Sequence, residues 1–513
     1  MSIYPNAFPS TITPEVKEFM EEYFHVSNAA STHTTHDADE ERFASLFVED
    51  GTYEFAEKAY KGHKEISDFR EFLFNNVPHR DHPAIQFYTF GDDDLQLMCI
   101  GKVEYKYEDG TKHECEWAGR YEIVKLSKGA LKFKRVQIIT ILVLFIPVLC
   151  VAAAVPSKPN CFDLDVPVHV ESQSYPLLVP VFKNGYEATE FVLQATKRDV
   201  NPDSSALLGK PVNVSTIFSI GATYCTPSQP STKSSTLQLL SHGLGFDRSY
   251  WDLDGDLNYI AAATSAGYST FSYDRLGNGA STIADPYNTV QTVIELAILT
   301  EITSLLRNGN VSKRIPIPKK IVHVGQSYGS SITNALAATS PEISDAIVLT
   351  GYSLNATYEP WFLRASAFHL ASENQPERFS GLSSGYLTWG DKFTNQYGFL
   401  KYPYFDPKVL DKAEAGKFPF TLGEILTGGL IPVAAPGFEK PVLLMAADAD
   451  LIFCGSDCYG VVDGPYAANA KVFSAAKPLK TYIQPNTGHG MNLHFNATGW
   501  YGVVQDFLAE NGL

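Results

Sequence analysis

The alternation of apolar and polar positions changes character along the chain. From Thr13 to Phe24, Val16, Phe19, Met20 and Tyr23 recur at helical spacing behind Thr11 or Thr13 as a cap, which predicts an amphipathic helix. Period-two alternation follows around Ile85–Tyr88, Leu95–Val103 and Trp117–Val124, and a last run from Leu131 through Gln137 predicts a closing strand. Helices first and a curved antiparallel sheet afterwards make residues 1–138 a small α+β domain. Beyond Cys161 the pattern turns to short apolar runs separated by amphipathic helices, the signature of a mostly parallel sheet covered on both faces. Leu237–Leu240, Ser269–Tyr273, Lys320–Val324, Ala346–Thr350 and Val442–Ala446 read as strands. Val290, Val293, Ile294, Ala297, Ile298, Ile302 and Leu305 form one broad apolar helix face that ends near Gly309.

Between these halves, Val136 to Val155 is apolar except for Gln137, Thr140 and Pro147, about the length a bilayer core requires. Lys132, Lys134 and Arg135 precede it, and Ala152, Ala153, Ala154 and Pro156 follow, the order of a secretory signal. Because about 135 residues lie upstream, three readings stand: a signal-anchor helix that holds the chain in a membrane through 138–155, a buried strand continuing the first domain, or a leader fused behind another reading frame. The domain layout is therefore 1–138, 139–156 and 157–513. The acceptors Asn213, Asn310, Asn355 and Asn496 all follow the apolar segment, as do Cys161, Cys225, Cys454 and Cys458, an even set suited to two bridges with Cys454 and Cys458 near enough to pair locally. Both marks place the downstream part in the secretory pathway or outside the cell. The alternative is a single-pass membrane protein with a cytoplasmic N-terminal domain.

Composition narrows the partners. With 57 acidic against 40 basic residues the formal charge is -17, which removes any general attraction to phosphate backbones or anionic lipid surfaces, so nucleic acid is not an expected partner. A chain of 513 residues with 44% hydrophobic content can bury more than one core.

In the upstream domain, His79, Asp81 and His82 are the candidates for proton transfer, because a histidine beside a carboxylate can move protons near neutral pH. The competing structural reading makes Pro78–Pro83 a solvated loop entering a strand. His33 and His36 lie in a polar run that reads as surface, and no carboxylate–histidine spacing here is diagnostic of a metal. The pattern Phe43-x-x-x-Phe47-x-Glu49-Asp50-Gly51-x-Tyr53, then Tyr60-x-Gly62-His63, Asp81-His82-Pro83 and Trp117-Ala118, resembles the SnoaL-like, nuclear-transport-factor-like cone fold. That resemblance covers about a quarter of the chain. It implies a cone-shaped α+β domain, and its members include cyclases, isomerases, dehydratases and proteins without activity.

Downstream, Gly325-Gln326-Ser327-Tyr328-Gly329 follows an apolar run and precedes a helix of small residues, Ser330 to Ala338. It fits a nucleophile elbow, where a tight strand-to-helix turn leaves no room for side chains two residues either side of the serine. Such a pentapeptide arises by chance about 0.1–0.2 times in a chain this long, so its placement carries more weight than its letters. A hydroxyl needs a base and the base an orienting carboxylate. His489, in a loop between the strand Thr481–Gln484 and the last helix Trp500–Ala509, supplies the first, and Asp450, after Val442–Ala446, the second, with Asp448 as the alternative acid. Ser241–Phe246 follows a strand at the place where such folds form half of an oxyanion hole; Leu244 and Tyr328 are the N–H donors, and His242 and Gly243 carry the loop. Tyr273–Gly279 ends another strand, and its glycines suit a tight structural turn beneath the pocket.

Together the His-Gly-Leu-Gly-Phe, Gly-Gln-Ser-Tyr-Gly and Thr-Gly-His-Gly-Met-Asn-Leu-His motifs resemble the α/β-hydrolase superfamily, specifically fungal secreted serine hydrolases, over about 350 residues. The resemblance implies an α/β-hydrolase fold and an esterase-like or lipase-like activity. Residues about 352–438 exceed an ordinary connection and read as a helical lid. Trp361, Phe362, Phe368, Tyr386, Trp389, Tyr397, Tyr402 and Tyr404 there serve a substrate wall and the insert's own core together. The expected function is a serine hydrolase acting on a small apolar ester or lactone, without metal or organic cofactor. Two rivals are a bifunctional natural-product enzyme whose first domain cyclises or isomerises, and a binding protein that keeps the pocket without turnover.

Overall fold

The structure, a computed structural model, describes residues 7–9, 11–28, 41–55, 58–76, 79–90, 93–106, 112–127, 129–140, 158–198, 204–463 and 469–513. The chain divides into two units, Met1–Ala152 and Ala153–Leu513. His33, His36 and residues 141–155 of the apolar run lie outside the described residues. Among the described residues, no helix is long and apolar enough to cross a membrane.

The first unit is a separate β-rich body. Its strands β1 (Phe47–Phe55), β2 (Lys58–Lys61), β3 (His79–Phe90), β4 (Asp93–Lys106), β5 (Lys112–Lys125) and β6 (Leu131–Thr140) form one sheet in the order β2-β1-β6-β5-β4-β3. Helices Pro14–Asn28 and Gly62–Asn76 accompany it. The expected helices-first order is corrected, because β1 and β2 precede the second helix and β1 runs parallel to β6. Asp50-Gly51 sits inside β1, where its register against β6 slips between Phe47 and Thr52. A Cβ on Gly51 would stand 2.9 Å from the Val48 carbonyl oxygen. Val16, Met20, Tyr23 and Phe24 of the first helix pack into a core with Phe43, Phe47, Tyr53, Leu97, Tyr121 and Phe133. The apolar residues Val136 and Ile138 belong to β6.

The second unit has the doubly covered sheet. Strands β7 (Asn160–Ser174), β8 (Val212–Thr226), β9 (Thr236–Ser241), β10 (Ser269–Tyr273), β11 (Lys320–Gln326), β12 (Ala346–Thr350), β16 (Val442–Ala447) and β17 (Leu479–Gln484) lie in the order β17-β16-β12-β11-β9-β10-β8-β7. From β17 to β10 neighbours are parallel, whereas β8 and β7 are antiparallel. Every residue of β9, β10, β12 and β16 is buried, as a strand covered on both faces must be, while β7 alternates. On one face Ile294, Ile298, Leu299 and Ile302 of helix Thr292–Arg307 share a core with Val166, Val168 and Val170. On the other, Trp500, Val504 and Phe507 of helix Ala497–Glu510 pack with Val322, Val324 and Ala346. Cys161 stands directly opposite Cys225 in the β7–β8 ladder and is bridged to it, and Cys454 is bridged to Cys458.

Between β12 and β16 the chain builds a cap. Its helices include Glu359–Ala365, Lys392–Phe399, Pro407–Ala415 and Leu422–Thr427, beside a small sheet of β13 (His369–Leu370), β14 (Tyr386–Thr388) and β15 (Phe420–Thr421). The cap aromatics divide: Phe362, Phe368, Tyr386 and Trp389 are buried, and Trp361, Tyr397, Tyr402 and Tyr404 are exposed.

Candidate active site

Ser327 follows β11 and caps the start of the helix Tyr328–Thr339 with φ 54° and ψ -119°, a positive-φ conformation that non-glycine residues adopt only when their surroundings force it. The two flanking glycines show the force. A Cβ on Gly325 would come within 2.6 Å of the Gly329 backbone, and one on Gly329 within 2.1 Å of the Ser241 carbonyl oxygen. The Ser327 N–H donates to the Thr350 carbonyl at 2.9 Å, which pins the turn to β12.

His489 is fully buried, and its Nδ1 lies 2.6 Å from Asp450 Oδ2. Facing a carboxylate, Nδ1 is the nitrogen that carries a hydrogen, and Nε2 points away from Asp450. Among the described residues, Nε2 is buried with no hydrogen-bond partner. Phe399 and Phe453 flank the ring, with centroids at 5.4 and 5.8 Å. Asp450 has a second duty, since its Oδ1 accepts the Phe453 N–H at 3.0 Å and so caps the helix Leu451–Cys454. Asp448, the alternative acid, is turned elsewhere: it accepts the N–H groups of Thr487 and Asn486 and pairs with Lys401 at 2.9 Å, contacts that hold its carboxyl below the usual range although burial opposes them.

His494, three residues beyond Met491, organises the same loop. Its Nε2 accepts the N–H groups of Gly488 and Lys401, both at 3.0 Å, and its Nδ1 donates to the Gly490 carbonyl. Burial pushes the His494 imidazole down to about 4, so it is neutral as this bonding requires. The motif containing His494 was visible in the sequence, but nothing there distinguished its role from that of a loop histidine.

The loop after β9 lies against the elbow: a Cβ on Gly243 would stand 3.0 Å from Ser327 Cβ. His242 is buried beneath it, donating from Nδ1 to the Gly243 carbonyl at 2.9 Å and accepting the Arg275 N–H at Nε2. Burial first, then the Arg275 charge, drives its pKa well below 6.5, so it is a neutral brace. Arg275 itself is buried between Glu295 and Glu424. Sequence reasoning gave the Tyr273–Gly279 turn a structural role and missed this ion cluster. The available signal was Glu295, a carboxylate interrupting the apolar face between Ile294 and Ile298.

The second candidate group is less organised. The His79 side chain lies outside the described residues. Asp81 is exposed and accepts from Asn28 Nδ2 at 3.3 Å, while His82 Nδ1 bonds to the oxygen of the same amide. His82 meets the edges of Phe24 and Trp117 and borders a cavity of about 30 Å³ lined also by Tyr23 and Tyr121, room for a water rather than a substrate. Among the described residues, no group of three or more His, Cys, Asp or Glu side chains is placed to hold a metal ion.

The strand order and the elbow define an α/β-hydrolase architecture. The chain belongs to the alpha/beta hydrolase family, whose model matches residues 238–498, just over half of the 513. No curated protein matches it. Among solved structures it is similar to an esterase from Thermogutta terrifontis at 14% identity, covering 57% of this chain and 94% of that one with a TM-score of 0.40. It is similar also to the enol-lactonase of Burkholderia xenovorans, at 17% identity over 57% of this chain and 97% of that one with a TM-score of 0.39. A monoacylglycerol lipase from Paleococcus ferrophilus gives 17% identity over 55% and 97%, with a TM-score of 0.38.

Proposed function

We propose that the protein is a serine hydrolase that cleaves a carboxylic ester or lactone through an acyl-enzyme. Ser327 Oγ attacks the carbonyl carbon and its proton passes to His489 Nε2, which then delivers it to the departing alkoxide. Water, deprotonated by the same nitrogen, attacks the acyl carbon, and as the acyl–oxygen bond breaks the proton passes from His489 Nε2 to Ser327 Oγ and the acid leaves. Asp450 holds His489 in the tautomer with hydrogen on Nδ1 and stabilises the imidazolium as it forms. The N–H groups of Leu244 and Tyr328 receive the developing oxyanion. The observation that carries this reading is the buried His489–Asp450 pair at 2.6 Å with an unpartnered Nε2, in a fold whose serine sits in the forced elbow conformation.

A fluorophosphonate probe should label Ser327 in the wild type and leave Ser327→Ala unlabelled. Failure of the wild type to react, in protein that is folded, would favour a binding protein that holds the pocket without turnover. The substrate we propose is small and apolar, because Phe246, Trp389 and Phe399 pack together beside the catalytic histidine. For the N-terminal unit we propose a SnoaL-like identity; among the described residues the cavity beside His82 is water-sized.

A further inference from the structure

The cation buried under the oxyanion loop has no part in the proton relay, yet it touches both halves of the site. Arg275 is 1% exposed. Its Nε donates to the His242 carbonyl at 3.1 Å, its Nη2 to the Gly243 carbonyl at 3.3 Å, and its backbone N–H to His242 Nε2 at 3.0 Å. Its guanidinium carbon also lies over the Tyr328 ring, 4.6 Å from the centroid. The Tyr328 hydroxyl is fixed in turn by Thr292 Oγ1 at 2.7 Å.

A trans peptide carries its C=O and the following N–H on opposite sides of one rigid plane. Drawing the Gly243 oxygen down onto Arg275 and His242 therefore turns the Leu244 N–H away from them, and the His242 oxygen fixes the preceding plane in the same way. We infer that Arg275 is the positioning residue of the oxyanion site, setting the direction of the Leu244 N–H through the Gly243 carbonyl and seating Tyr328 through its ring. This rests on the serine-hydrolase reading above.

The guanidinium can hold that pose because it is anchored behind. Nη1 bonds Glu295 Oε2 at 2.7 Å and Glu424 Oε1, and Glu424 Oε2 accepts the Thr421 N–H at 2.6 Å. A planar fork that reaches two carbonyls and two carboxylates at once is a geometry an ammonium group cannot copy. Glu424 belongs to the helix Leu422–Thr427 of the cap, so the anchor ties cap, loop and elbow together.

Arg275→Lys and Glu424→Gln test the assignment in the full chain. The readings are kcat and KM for a 4-nitrophenyl ester, inhibition by a phenylboronic acid, whose tetrahedral adduct on Ser327 places an oxygen in the oxyanion site, and the thermal midpoint. Arg275→Lys should lose roughly 100-fold in kcat, the scale of one lost oxyanion donor, with KM within about threefold. Boronic acid affinity should fall by the same factor as kcat. Glu424→Gln should lose roughly tenfold in both, since one anchor persists. Folded Arg275→Lys with wild-type kcat and boronic acid affinity overturns the assignment; if that variant does not fold, unchanged kcat and affinity in Glu424→Gln overturn it. Wild-type protein that takes no fluorophosphonate defeats the hydrolase reading and this one with it, whereas a labelled, active wild type with an indifferent Arg275→Lys defeats the positioning role alone.

Discussion

At the scale of single residues, the proposed site depends on which atom each polar group faces. Asp450 accepts from His489 with one oxygen and from the Phe453 N–H with the other. In Asp450→Asn the oxygen can keep the cap only by presenting an NH2 to the imidazole, which forces the hydrogen to His489 Nε2 and blocks proton acceptance. A loss of roughly 10,000-fold in kcat is expected with little change in thermal midpoint, read by ester hydrolysis and calorimetry. Asp448→Asn, in contrast, should act through the loop it braces. The sequence named Ser327 and His489 because a tight turn and a loop after a strand leave local marks. It left Asp450 and Asp448 as alternatives two positions apart, since only the turn of the backbone decides which carboxylate faces the ring. Glu295 left a mark, a carboxylate on an apolar helix face, but its pairing with Arg275 and that of Arg275 with Glu424 were beyond reach, because 20 and 149 positions separate the partners.

At the scale of elements, strands buried on both faces were readable as apolar runs, and β10 and β12 fall at the expected residues. The β7–β8 ladder was not foreseen: its partners lie between 38 positions apart, Ser174 against Val212, and 66, Asn160 against Thr226, and the polar outward positions of β7 mimic a loop. The loop after β17 is held by neutral His494, and β11 carries a second buried histidine, His323, which burial pushes down to about 3. Unfolded, both would take up a proton near pH 6.5. The unfolded chain thus binds more protons below that pH, so these groups' stability contribution is present above 6.5 and is lost as pH falls toward 4 and then 3. His494→Gln should lower the thermal midpoint at pH 7 and flatten its decline between pH 6.5 and 4; an unchanged slope would show that His494 does not titrate on unfolding.

At the scale of the molecule, each unit draws its core from its own residues: Ala7 to Val136 in the first, with the clusters from Val166 to Leu513 in the second. A fragment spanning residues 158–513 is therefore expected to fold alone, take the fluorophosphonate label, and hydrolyse esters at a kcat within about threefold of the full chain. A fragment that folds but is inert would make the first unit part of the activity.

The Phe418 N–H donates to the Gly245 carbonyl at 2.9 Å, and the Trp389 ring occupies the space where any side chain on Gly245 would have to go. The cap and the loop after β9 are in this way joined at one residue. If the proposed hydrolysis holds, a guest that forces the cap upward also slackens the loop proposed to grip its oxygen, so bulky guests would be penalised twice, once at entry and again at the bond-breaking step.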